Sequence, residues 1–222
     1  MLSPMKHVAD PSPRPGASDE LVAQMRGLDS FFREHAVANE KLGKLVPDVF
    51  DVLRKHKLHL MLVPAELGGL AFSPSQALRV IEQIAYSDTS TGWVAMVVMS
   101  GTGMAAGYLP DAGITRLFGG DAGDVVCGSG APTGRAIRVA GGYQVSGQWS
   151  YGSGIQHADW HHSGAMLFED GRPKIDASGV PEMMIVHAPT STLQFLGNWT
   201  PWAYAQREVL TTPLRRRSFL TI

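Results

Sequence analysis

Residues 127 to 136 read CGSGAPTGRA, with glycines at 128, 130 and 134 and Arg135 directly behind the last. Glycines so placed can cradle a phosphate, and the residues after them decide whether they do. A dinucleotide fingerprint leads its glycines from a strand into a helix whose N-terminus faces the pyrophosphate, whereas here Pro132 and then a hairpin signal come next. A P-loop ends in Gly-Lys-Ser/Thr, and Arg135 cannot replace that ending with its metal-binding hydroxyl. Two readings stay open: a glycine-rich strand exit where chain crowds chain, or a loop whose bare backbone N–H groups lie against a flat ligand.

A second stretch, GQWSYGSGIQHADWHH at 147 to 162, supports the ligand reading. Trp149, Tyr151 and Trp160 are of types that fill cores. Between them, Ser150, Gly152, Ser153 and Gly154 would let a flat ring pack closely and meet hydroxyls. His157, His161, His162 and Asp159 raise a metal site, but the string has no familiar ligand spacing. The default is polar positions on a strand, with His157 and Asp159 alternating onto one face, there to pair with each other or with a neighbouring subunit.

The elements around these stretches obey two grammars. Residues 1–17 carry four prolines and almost no apolar pattern, as a mobile tail would. From Ser18, SDELVAQMRGLDSFFREHAVANEKLGKLV puts Leu21, Met25, Leu28, Phe31 and Phe32 at spacings of three and four, which predicts one amphipathic helix capped by Ser18 or Asp19. A second helix begins at Pro47, with Val49, Val52 and Leu53 on one face. The third has Ser73 as cap, Pro74 first, Gln76 three residues after the cap, Leu78, Ile81, Ile84 and Ala85 inward, and an end near Ser87. The run from Trp93 to Leu109 is apolar nearly all round, as in a buried or membrane-spanning helix; Ser100 to Gly103 interrupt it and no basic flank orients it, which argues for burial. Pro110 opens a last short helix.

Past Gly120 the runs DVVCGS, RAIRVA, YQVSGQWS, SGAMLF, EMMIVHA and STLQFL are strand-like, broken by Gly, Pro and Asp clusters. Gly141-Gly142 suit a two-residue hairpin turn. Helices first and strands later predict an α+β chain with an all-α domain over 18–120 followed by a β-domain over 121–202. A hydrophobic content of 44% over 222 residues supplies a core, and a net charge of -1 provides no global field for nucleic acid or an anionic membrane. Cys127 alone allows no internal disulfide, and the polar start lacks a secretory apolar core, so a reducing, cytoplasmic setting is expected.

In this order, VPAELGGLAFSP, IEQIAYSDTSTGWVAM, GSGAPTGRA, GGYQVSGQWSYGSGIQHADW and the approach to GNWTPW resemble the acyl-CoA dehydrogenase superfamily. The closer likeness is to its flavin-dependent monooxygenase branch, the oxygenase partners of two-component systems such as 4-hydroxyphenylacetate and dibenzothiophene monooxygenases. It runs from about residue 20 to 202. The resemblance implies an N-terminal helical domain, a middle β-barrel and a C-terminal four-helix bundle, assembled as a homotetramer with the flavin ring between barrel and bundle. It also implies reduced FMN or FAD as cofactor, a flavin reductase as its supplier, and an aromatic or polycyclic small-molecule substrate. Ser129, Gly130, Ala131, Pro132 and Thr133 match the barrel loop that lines the isoalloxazine, with Ser129 near the reactive edge. Tyr151, Gly152 and Ser153 match the second flavin segment, with Ser153 near flavin N5. The chemistry would be the cofactor's, with the protein orienting it and excluding water.

Two alternatives accompany that reading. One is a FAD-linked acyl-CoA dehydrogenase, whose Thr-Glu-Pro and Trp-Ile-Thr segments stand here as Gly130-Ala131-Pro132 and Tyr151-Gly152-Ser153. The other is a catalytically inactive remnant, since fold alone never fixes function. Several hydroxylases of the branch carry a histidine where this chain has Ser100 to Gly103, and the dehydrogenases take their glutamate from the bundle, so no catalytic base is named. After Trp202 the sequence AYAQREVLTTPLRRRSFLTI departs from the family pattern. The preferred explanation is a frameshift in a chain truncated before the bundle; the alternative is a solvated basic tail around Arg215 to Arg217. A truncated barrel and helical domain would expose edges and apolar faces.

Overall fold

The computed structural model describes residues 13–120, 123–195 and 220–221. Most of the expected tail, the GNWTPW segment and nearly all of the departing C-terminal stretch lie outside these residues. The helices are α1 (Ala17–Gly27), α2 (Asp29–Leu42), α3 (Pro47–Lys55), α4 (Pro74–Ser87), α5 (Thr89–Tyr108) and α6 (Asp111–Phe118). The strands are β1 (Val126–Val139), β2 (Gly142–Ser146), β3 (Trp160–Glu169), β4 (Arg172–Pro173), β5 (Met183–Pro189) and β6 (Leu220–Thr221).

The best-read helix is α4. Ser73 accepts from the Gln76 backbone N–H while the Gln76 side chain accepts from the Ser73 N–H, the reciprocal pair that satisfies two orphan donors. Ile81 and Ile84 face inward as expected, joined by Ala77, Val80 and Ser87, while Leu78 is exposed and Ala85 only half-buried. The expected first helix is two. Leu28 leaves the helical region (φ -101°, ψ 10°), and α2 restarts at Asp29, which accepts from Arg33 and from the Ser87 hydroxyl of α4. That tertiary tie fixes a break which apolar spacing cannot show. Neither Ser18 nor Asp19 caps α1; Gly16 precedes it and Ser18 is buried inside it.

Phe32, Leu53, Ile84 and Val98 are among the side chains that close one core between these helices, each worth about 1.5–3 kcal/mol on burial. α5 is the central member and reaches the sheet. A Cβ on Gly101 would lie 2.4 Å from the Val126 carbonyl oxygen, and the buried Thr102 hydroxyl accepts from the Val126 N–H at 3.0 Å. The small residues that interrupt the apolar run therefore allow helix and strand to touch. No helix among the described residues is long and apolar enough to cross a membrane.

The sheet is mixed and open, in the order β2-β1-β3-β5-β6, with β4 paired to β3. The expected barrel does not close among the described residues. β1 absorbs two predicted strands, DVVCGS and RAIRVA, into one, because it pairs with β3 on both sides of an irregularity. The hairpin turn falls on Ala140 and Gly141, one residue earlier than expected, since Gly142 already pairs with Val139. QWS of YQVSGQWS is not strand, and part of STLQFL is a short 3-10 turn at Thr190–Thr192.

β1 and β3 run parallel although β2 lies antiparallel to β1 on its other side. The chain from Gly147 to Asp159 must then cross from one flank of β1 to the other. It travels from the level of Arg135, where β2 ends opposite, to that of Val126, where β3 begins. It therefore passes along residues 127–134, and this crossover brings the two stretches of interest together.

Candidate functional site

Ser129 pairs with Ser163 of β3, and the next paired residue of β1, Gly134, faces Ala165. Five steps of β1 thus run against two of β3, and residues 130–133 arch out as an enlarged β-bulge. The arch lies over Gly164: a Cβ there would be 2.2 Å from the Gly130 carbonyl oxygen and 2.6 Å from that of Ala131. The buried Trp149 indole N–H donates to the Gly164 carbonyl at 2.6 Å. The crossover is tied to the arch at both ends. Thr133 donates its hydroxyl to the Gln148 carbonyl (2.8 Å), and the Cys127 thiol donates to the Ser153 carbonyl (2.8 Å).

The three glycines of the opening motif divide. A Cβ on Gly128 would lie 2.0 Å from the His162 carbonyl oxygen, and one on Gly134 would lie 2.4 Å from the Trp149 ring. Crowding accounts for both. Gly130 is exposed and its Cβ would meet only the Ile185 methyl at 3.8 Å, so packing does not require glycine there. No helix continues the motif, and the Arg135 guanidinium sits over the Phe168 ring, 4.3 Å from its centroid.

The structure places the eight expected ring-binding residues on neighbouring segments. Ser129 and Pro132 are half-buried, and Gly130, Ala131 and Thr133 exposed, on the arch; Gly152 is buried and Ser153 half-buried on the crossover. Tyr151 is 57% exposed with φ 65°, left-handed for a residue with a Cβ. That conformation costs roughly 1–3 kcal/mol and persists only where the surroundings impose it. Neither the Ser129 nor the Ser153 hydroxyl has a hydrogen-bond partner among the described residues. An open cleft of about 460 Å³ lies elsewhere, between α1, the end of α3 and residues 65–72, and neither segment lines it.

The histidines depart from expectation. His157 is on a 3-10 turn (Ile155–His157), not a strand, and stacks on Phe50 of α3 with ring centroids 4.4 Å apart. Asp159 does not pair with it: its carboxylate accepts from the Val125 N–H and lies 3.5 Å from Arg54. His161 and His162 follow Trp160 at the start of β3 and are buried, as is His187 of β5. Desolvation pushes His157, His161 and His162 down to about 4 and His187 to about 3; Lys44 adds to the shift at His157, His162 to that at His161, and both His162 and His161 to that at His187. All four are neutral near pH 7. Among the described residues no three or more of His, Cys, Asp and Glu converge as a metal site would need.

Sequence reasoning missed Cys127 as a tie and Trp149 as the pin of the arch. Starting the strand SGAMLF three residues earlier, at Trp160, would have exposed the alternation that sets Cys127, Ser129, His161 and Ser163 on one face.

The fold is one found in flavin-dependent monooxygenases. The crystal structure of the HsaA monooxygenase from Mycobacterium tuberculosis superposes with a TM-score of 0.79 at 24% identity, over 92% of this chain and 53% of that one. XiaF from Streptomyces sp., solved in complex with FADH2 and glycerol, gives 0.77 at 24% identity over 92% of this chain and 51% of its own. By sequence, the flavin-dependent monooxygenase oxygenase subunit HsaA of M. tuberculosis is 30% identical over 156 residues, 70% of this chain and 39% of the relative. The indole-3-acetate monooxygenase of Pseudomonas putida is 38% identical over 112 residues, 50% of this chain and 28% of the relative. The matched stretches thus span well under half the length of these curated relatives. No family model matches it.

Proposed function

We propose that this chain carries the flavin-ring shelf of an oxygenase component of a two-component monooxygenase, acting with reduced FMN or FAD and dioxygen on an aromatic or polycyclic substrate. The observation that carries the reading is the arch at 130–133 laid beside the crossover at 151–153 and tied to it at Cys127–Ser153 and Thr133–Gln148. The residues fit a planar tricyclic group. Gly130 and Ala131 offer main chain without bulk, Ser129 and Ser153 offer hydroxyls with no partner among the described residues, and Tyr151 presents an aromatic face. The bound flavin would supply the oxygen chemistry. The chain's part is to hold the ring edge-on by backbone and hydroxyl contacts and to keep water from it.

Support comes from relatives named for this chemistry, such as the FADH(2)-dependent resorcinol hydroxylase oxygenase component of Rhizobium sp., 25% identical over 187 residues. On this reading a flavin reductase supplies the reduced cofactor, and the assembled enzyme is a homotetramer with barrel and bundle complete. Anaerobic titration with reduced FMN and FAD, monitored by fluorescence, tests it. Saturable binding that weakens about tenfold in Ser153→Ala is expected; a chain that retains neither cofactor overturns the proposal. Supplying oxygen, a reductase and aromatic acids or phenols, with hydroxylated product read by mass spectrometry, then identifies the substrate class.

A further inference from the structure

Gly164 shows which face of the sheet the arch occupies. A Cβ there would run into the Gly130 and Ala131 carbonyl oxygens, so the arch rises on the side toward which residue 164 would project a side chain. Alternation along β3 carries Met166 and Phe168 to that same side. Register brings Ile185 and Met183 of β5 with them, opposite Gly164 and Met166. From β1, Arg135 and Ile137 join through their pairing with Met166 and Phe168. The arch and these side chains share one surface, and they meet: a Cβ on Gly130 would lie 3.8 Å from the Ile185 methyl.

The other side of the sheet is closed, with Ala165, Met184 and Val186 in its core. On the arch side, five apolar residues belong to no core cluster of the described residues. Ile137, Met166, Phe168 and Ile185 are half-buried, and Met183 is 62% exposed. A contiguous apolar band of this kind marks a surface that takes an occupant, and methionines adapt to the face of a ring.

Arg135 specifies the occupant's charge. Its guanidinium is stacked on Phe168, and among the described residues it has neither a hydrogen bond nor a carboxylate partner. Stacking fixes the guanidinium plane and leaves its N–H edge unused, a fork that matches a carboxylate at two points. Met166 and Phe168 stand along β3 from Gly164 by about 7 and 13 Å at the rise of a strand. A fused-ring acid fits that span.

We infer that the band is a substrate subsite: a flat aromatic acid lies on Met166, Met183 and Ile185, with its carboxylate on Arg135 and its far ring beside the arch. This rests on the flavin reading above, and narrows an aromatic substrate to an anionic one.

The experiment titrates 2-naphthoate and its uncharged amide, 2-naphthamide, into the full chain by calorimetry, with and without reduced FMN or FAD. The acid is expected to bind about tenfold more tightly than the amide. Arg135→Gln should abolish that preference while leaving the affinity for the amide within about twofold, and Arg135→Lys, which keeps the charge but not the fork, should restore only part of it. Ile185→Ser should weaken both ligands alike, and the methyl NMR signal of Met183 should move with either. Equal binding of acid and amide, a preference that survives Arg135→Gln, or an unmoved Met183 methyl overturns the inference. So does a self-associated chain that binds neither ligand and dissociates in Met183→Lys, since the band is then an interface between copies. Flavin retention without acid preference removes this inference and leaves the flavin reading. Acid preference in a chain that retains neither flavin removes that reading and, with it, the acid's standing as substrate.

Discussion

Two buried polar sites, Asn39 among the helices and the His162–His187 pair in the sheet, are held on opposite terms. In the helices, Asn39 is 2% exposed and every group on its side chain is engaged: Nδ2 donates to Asp88 (3.2 Å) and Thr91 (3.4 Å), and Oδ1 accepts from the Val46 N–H (2.8 Å). In the sheet, His187 is 0% exposed and neither ring nitrogen has a partner among the described residues; His162, its register partner across the strands with ring centroids 6.1 Å apart, leaves Nδ1 unmatched there too. Buried polar groups stabilise only when matched, and an unmatched one costs about 1–3 kcal/mol. Asn39 thus contributes to stability, whereas the His162–His187 pair carries a standing penalty beside the candidate site.

The sharpest way to break that comparison lies in the sheet's backbone. Gly128→Ala drives a methyl into the His162 carbonyl with no flexible side chain to yield, and should cost about 3 kcal/mol, read as a lowered urea midpoint. Asn39→Ala strips three matched bonds and should cost about 2–3 kcal/mol in the same assay. Acid provides a third handle. The histidines at 157, 161, 162 and 187 titrate near 6.5 when unfolded and at about 3 to 4 when folded. Between those limits the unfolded chain binds the extra protons. Stability is therefore full above pH 6.5 and falls as pH drops toward 4, each histidine contributing a slope of at most about 1.4 kcal/mol per pH unit.

His187→Phe removes only unmatched nitrogens, so it should raise stability at neutral pH by about 1 kcal/mol or more and flatten the acid limb; a loss as large as that of Asn39→Ala would erase the contrast. The smallest effect on folding is expected at Gly130. Gly130→Ala should leave the unfolding midpoint within about 0.5 kcal/mol while weakening flavin binding about tenfold, and unchanged flavin affinity would return that glycine to ordinary surface.

Legibility in the sequence tracks the reach of the forces involved. The start of α4 was readable because Ser73, Pro74 and Gln76 make their contacts within one turn. The expected turn at Gly141-Gly142 was one residue late because strand register, not turn chemistry, decided which residues paired. The break at Leu28 depends on Ser87, far along the chain, and the burial of His161 depends on β5 and Thr192. Nothing local marks either. For the site, composition identified the two segments as backbone-rich and hydroxyl-bearing. Their juxtaposition came from the parallel pairing of β1 with β3, which no spacing rule in either segment encodes, and the reading of His157 and Asp159 as strand neighbours failed for the same reason.

The crossover carries one more consequence, for the order in which the molecule assembles. The ties that shape the arch join residues only 15 or 26 positions apart. Closing such short loops is entropically cheap, and contacts of low sequence separation form early. The shelf can therefore take shape from one contiguous stretch of nascent chain, before the strands that flank it on the far side have been synthesised.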